Sequence, residues 1–318
     1  MANPSAAEPQ LEPVSKSSWR TRVFSTLFTG KSSPNGRPDV EARIEEGTDA
    51  GFFGLGSASW AVHGGLTTMV AGIRALLMQT LHPGAMAGVH DWSRYKEDPL
   101  GRLSGTTQWL IGVTFSDTTA AIRESNRVER FHARVIGTYL DANEVERPYA
   151  AGDPELLSWV HVVFTDAFLS TYLLWDGRIP GGADRYVREW AKAGELIHVP
   201  NPPTSQVELH AQLDAFRLAG VLKSDDRVAD AVKFIRNPGL PRQFMPVYRI
   251  LFAGAVASIP REYRAMLGLR RPWWPAITVT RLTLWGLRRA LGARSPSERA
   301  AIRRIERLGL GTDVGSLR

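Results

Sequence analysis

The run Leu156–Phe168, LLSWVHVVFTDAF, carries one imidazole in an otherwise apolar setting. At ~100° per residue, a helix here puts His161 on one face with Leu157, Phe164, Thr165, Phe168 and Tyr172. Two roles suit such a ring. It can be a core histidine bonded to a carbonyl or carboxylate, the commoner case, because burying an unpartnered imidazole is costly. It can also be an axial ligand to haem, where a neutral ring meets iron inside an apolar pocket.

Two further groups could do chemistry. In the stretch 116–139, Val128, His132, Val135, Ile136 and Tyr139 form an apolar stripe, so His132 is a second imidazole on a buried face. Arg123, Arg127, Arg130 and Arg134 lie opposite, with Glu124 and Glu129 as intrahelical partners. Enclosed, such arginines pair with propionates or phosphates; on a surface they are simply solvated. The third group is His82, His90, Asp91, Arg94 and Arg102, in a loop-rich passage after an apolar helix. Small residues at Gly84, Ala85, Ala87 and Gly88 would let a flat ligand approach. It reads equally as a pocket mouth or as helix termination with an Asp91–Arg94 pair.

What is missing narrows the chemistry. The chain of 318 residues has no cysteine, which excludes disulfides, thiolate zinc sites, iron–sulfur clusters and cysteine nucleophiles. There is no Walker loop, no H-E-x-x-H and no G-x-S-x-G, and Gly51–Gly56 lacks the strand and spacing of a dinucleotide fingerprint. Net charge is +7, from 39 Lys+Arg against 32 Asp+Glu, with much of the excess after Arg261. No signal-peptide core opens the sequence, and no uncharged apolar run reaches the ~18–20 residues of a membrane span. The expectation is a cytoplasmic protein able to touch a membrane peripherally, with no recognised nucleic-acid motif.

The elements that must position these residues read as helices: 67–81, 100–115, 118–139, 154–175, 184–196, 205–218, 225–237, 245–257, 260–267, 278–291 and 297–308. His82-Pro83-Gly84 is a stop signal, and Asp153-Pro154 a start signal. With 43% hydrophobic residues, the reading is an all-α protein with one multi-helix domain. Residues 1–38 form a tail containing a basic amphipathic piece at 18–30. Residues 39–270 form the domain, and 271–318 a basic helical extension.

Several motifs in order resemble one family. They are GLGSASW at 54–60, RALLMQTLHPGAMAGVHDWSRY at 74–95, Gly101-Arg102-Leu103 with Thr106 or Thr107, RVERFHARVIGT at 127–138, DPELLSWVH at 153–161 leading into TDAFLSTY, and IPREYRAMLGL at 259–269. The family holds the rubber oxygenase (latex clearing protein) catalytic domain and the fungal MpaB-type oxygenases, and the likeness spans roughly residues 40–270. It implies a globin-like helical core that binds haem b. His161 falls on the proximal ligand, with Leu157, Phe164 and Phe168 as the apolar wall. Arg127, 34 positions earlier, falls on the arginine of the distal helix. Arg130 and Phe131 stand where rubber enzymes have lysine and threonine, Thr165 stands where they have arginine, and their pocket glutamate has no counterpart. His132, His82 and Arg94 complete the expected cofactor surroundings. Arg127 and His132 lie about 140° apart on a helix, so they cannot both face one haem side; His132 on iron would make a bis-histidine site. The resemblance implies a haem b-dependent oxygenase acting with oxygen on an apolar, lipid- or terpenoid-like substrate, with Arg127 or Arg130 as catalytic groups. Two alternatives stand beside it: a non-catalytic haem or lipid binder, and a basic helical adaptor at a membrane surface.

Overall fold

The structure, a computed structural model, describes residues 39–92 and 99–310. They form fourteen helices and one hairpin, so the fold is all-α. The helices are α1 Asp39–Glu46, α2 Ala58–Gly64, α3 Thr68–Gln79, α4 Pro83–Trp92, α5 Pro99–Phe115, α6 Thr118–His132, α7 Pro154–Trp175 and α8 Ala183–Glu195. They continue as α9 Gln206–Leu218, α10 Asp226–Arg236, α11 Met245–Ser258, α12 Arg261–Met266, α13 Ala276–Leu291 and α14 Pro296–Arg307. Strands β1 Ile136–Leu140 and β2 Glu146–Ala150 pair antiparallel between α6 and α7.

Local chemistry sets the boundaries. Side chains of Ser57, Asp117, Ser205, Asp225 and Ser295 each accept a first-turn N–H and start a helix. Asp153 precedes Pro154, yet its carboxylate accepts from the Ala150 N–H and so ties α7 to the end of β2. Pro83 ends α3 and also opens α4, so the passage read as loop-rich contains a ten-residue helix.

The helix expected over 118–139 stops at His132. The next residues, Val135, Ile136 and Thr138, are β-branched and favour a strand. Ile136 pairs with Ala150 and Leu140 with Glu146. The Asp141 carboxylate accepts the N–H groups of Asn143 and Val145 and closes the loop. The apolar stripe therefore breaks after His132, and Ile136 is exposed.

Helix α7 is the axis of the molecule. It was expected to bury one face; it is buried nearly all round, with Trp159, Val162, Val163 and Ala167 fully enclosed. Helices α2, α3, α8 and α9 pack around it. At 22 residues it is long and apolar enough to cross a membrane, although Glu155 and Asp166 interrupt its apolar run, and most of that stretch is buried inside the body. Helices α11 and α13 pack as a pair beyond α3. Helix α14 returns to the start of the chain. The fully buried Arg304 on it donates to the carbonyls of Ile44, Phe115 and Ala50, at 2.8, 2.7 and 3.3 Å.

Candidate functional site

The His161 side chain enters the interior from the middle of α7 and is 4% exposed. Its Nε2 has no hydrogen-bond partner. Burial alone pulls its pKa down to about 4, so the ring is neutral at ordinary pH and carries a free lone pair. Facing it on α8 is Gly194. A Cβ there would stand 2.9 Å from His161 Cε1, 3.1 Å from Nε2 and 3.0 Å from the Pro202 side chain. Only glycine lets the α8 backbone pack this closely against the imidazole.

The expected aromatic side chains pack on one another and around His63; among the described residues their ring contacts do not include His161. Phe164 and Phe168 stack at 4.3 Å, and Phe164 stacks with Trp190 at 6.1 Å. Leu157 is buried on the same helix. Thr165 turns back into its own helix, its hydroxyl donating to the His161 carbonyl at 2.7 Å.

A residue that the sequence reading passed over sits among these rings. His63, from α2, is 6% exposed and lies 4.2 Å from the Trp190 ring and 4.8 Å from Phe168. Its Nε2 is 3.3 Å from the Tyr186 hydroxyl, and its Nδ1 has no partner. Desolvation lowers its pKa to about 3. A signal for it existed: His63 is the only ionisable side chain between Asp49 and Arg74.

These orphaned nitrogens are not isolated cases. Among the described residues, the buried side-chain polar atoms lacking partners, apart from arginine Nε atoms, are Ser59 Oγ, His63 Nδ1, Thr114 Oγ1, His161 Nε2 and Trp190 Nε1. All five lie on α2, the end of α5, α7 and α8, elements that pack on one another. Each unmet group costs about 1–3 kcal/mol. Their concentration in one region is what a bound group or ordered water would relieve.

Arg127 is half-exposed; its Nε donates to Glu124 at 2.8 Å and its Nη2 to the Gly105 carbonyl at 3.4 Å. Arg130 is exposed at the end of α6. His132 is half-buried beside Phe131, and burial lowers its pKa. His82 has both nitrogens engaged: Nδ1 accepts from the Gly84 N–H at 3.2 Å, and Nε2 meets Glu155 at 3.4 Å. Its pKa is lowered by burial, against the opposing pull of Glu155. Arg94 lies outside the described residues. Asp91, which the sequence reading paired with Arg94, accepts from the Tyr149 hydroxyl at 3.0 Å.

An open cleft of about 610 Å³ lies beside α7 but not at His161. Its floor is the buried Arg74–Asp166 pair, at 2.5 Å, with His210, Asp214, Glu262 and Tyr263 around it. Asp166 is five residues from His161, about 140° around the helix, so the cleft opens on another side.

Fold and site together define a class: an all-helical protein whose interior buries two neutral imidazoles, each with one unpartnered nitrogen, one of them set among aromatic rings. The chain belongs to the family described as ER-bound oxygenase mpaB/B'/Rubber oxygenase, catalytic domain, which it matches over residues 60–293. That domain is an oxygenase catalytic domain, and the matched span contains both His63 and His161. No curated protein and no solved structure matches the chain.

Proposed function

We propose that this chain is a haem b-dependent oxygenase acting on an apolar substrate, with His161 as the residue that would hold the haem iron. The observation that carries the reading is the unpartnered Nε2 of a buried, neutral His161. Among the described residues, no three His, Cys, Asp or Glu side chains group as a metal chelate. A lone imidazole therefore fits iron whose remaining ligands come from a macrocycle better than a site built from side chains alone. Bound haem supplies oxygen binding and one-electron chemistry.

The chain's own residues do the rest. His161 offers a lone pair that no proton occupies above about pH 4. Phe164, Phe168, Leu157 and Trp190 exclude water and favour an apolar guest. His63 offers a second neutral imidazole among the rings, able to donate or accept through Nδ1.

One observation favours a non-catalytic binder as the second reading. The guanidinium of Arg127 is engaged with Glu124 and Gly105, and Arg130 is exposed, so neither is positioned by interior contacts.

The test is to load the full chain with haem and record its absorption. A Soret band retained in His132→Ala and lost in His161→Ala is the expected result. A colourless wild-type chain, or an unchanged band in His161→Ala, overturns the proposal. Oxygen uptake with unsaturated apolar compounds then separates oxygenase from carrier.

A further inference from the structure

The charge of this chain is unevenly placed. Between Lys233 and Arg294 stand twelve Lys or Arg residues and one acidic residue, Glu262. From Tyr263 to Ser297 there are seven arginines and no Asp or Glu at all. The chain as a whole carries +7, so this segment is more basic than the entire protein and the remainder is net acidic.

The same segment holds a concentration of exposed large apolar side chains. Trp273 is 96% exposed, Leu282 62% and Trp285 60%. On α13, Thr278, Leu282, Trp285 and Arg289 fall at i, i+4, i+7 and i+11, within one stripe of the helix. Arg289 lies over the Trp285 ring at 5.2 Å. Arg270, Arg271 and Arg281 are exposed close by in sequence. The opposite side of α13 is buried through Ala276, Thr280 and Leu284.

This face is held rigidly. The Trp175 Nε1–H donates to the Ile277 carbonyl at 3.0 Å, and Arg281 donates to the Leu174 carbonyl at 2.8 Å. Arg288 pairs with Asp176. The α13 face is thereby anchored to the C-terminal end of α7, where Leu173 is also exposed.

We propose that the outward face of α13, with Leu282, Trp285 and Arg289, together with the exposed Arg270, Arg271 and Trp273 of the segment that leads into it, docks the protein on the surface of an anionic lipid bilayer. Indole and leucine side chains enter the headgroup–acyl boundary, while the arginines meet lipid phosphates and carboxylates. Charge decides among occupants. An arginine-rich face with no carboxylate repels an identical face of a second copy. It also repels the basic segment 18–30 of its own chain. An anionic membrane satisfies both the charge and the apolar groups, and each arginine near it strengthens binding about fivefold at low salt.

The experiment is vesicle flotation of the full chain, with phosphatidylcholine alone and with phosphatidylcholine mixed with phosphatidylglycerol. The expected result is binding to the mixed vesicles, weak binding to phosphatidylcholine alone, and partial release by salt. The doubly substituted Leu282→Glu, Trp285→Glu chain is expected to bind about tenfold or more weakly. Arg289→Glu is expected to lose less, with a shallower salt dependence. Val207→Glu, also on an exposed apolar residue but on α9, should bind as wild type. All these positions are on the surface, and unchanged thermal melts confirm folding. Absent binding to the anionic vesicles, or full binding by the doubly substituted chain, overturns the proposal. A concentration-dependent dimer abolished by Trp285→Glu would assign the face to a second copy instead. Haem is not needed for the measurement, so its outcome is independent of the reading at His161.

Discussion

Burial keeps His161 and His63 neutral down to about pH 4 and about pH 3. In the unfolded chain the same rings take up protons below about pH 6.5. The unfolded state therefore binds more protons across that window. The stability is full above about pH 6.5 and falls as pH drops, by about 1.4 kcal/mol per pH unit for each ring. Urea midpoints between about pH 7.5 and 5, above the ordinary carboxylate range, should show this slope. His161→Gln should make it shallower, and a flat profile in the wild type would refute it. Gly194 sets how closely α8 packs on the ring. Gly194→Ala gains up to about 1 kcal/mol of helix propensity. It also drives a Cβ against a packed imidazole, at a cost of about 1–3 kcal/mol. The expected net effect is a modestly lower melting temperature and clearly weaker haem binding in a titration. Unaltered haem affinity would show that the glycine is not part of the site.

At the level of elements, the Arg74–Asp166 pair joins three helices. Arg74 on α3 donates to Asp166 on α7 and to the Ser258 carbonyl at the end of α11. Both side chains are almost fully buried. Removing one partner leaves a charge without compensation, so Asp166→Ala is expected to cost about 3–5 kcal/mol in denaturant unfolding. The combined Arg74→Met, Asp166→Leu chain should recover much of that, because no charge then remains inside. Equal losses in the single and combined variants would mean the pair contributes packing alone. The short hairpin β1–β2 is a different kind of junction. Its register carries Tyr149 inward to Asp91, linking α4 to the strand that leads into α7.

For the whole molecule, closure depends on the last helix. Helix α14 sends Ala300, Ala301 and Ile305 into the main core and Arg304 onto three carbonyls of α1, the loop after it and α5. Arg303 and Arg307 add contacts to Glu45 and Gly47. A chain ending at Gly292 should lose cooperative unfolding, seen as a broadened, early melt and poor solubility. A sharp wild-type melt in that truncation would make α14 an accessory. The family match ends at residue 293, just before this helix.

The sequence by itself determined the helical class, the central helix from Pro154 to Trp175, and the presence of an imidazole within it. Those features rest on local signals: apolar periodicity, an Asp-Pro start and motif order. The tertiary structure decided what such signals do not encode. Whether the 133–150 stretch is helix or hairpin depended on β-branched residues finding a partner strand and on an Asp141-centred loop with no Asn-Gly or Asp-Gly cue. His161 and His63, 98 positions apart, reach one aromatic interior because α2 and α7 both pack on α8. Only there does it become visible that each has a nitrogen with no partner, since hydrogen-bond satisfaction belongs to the packed interior and not to the order of residues.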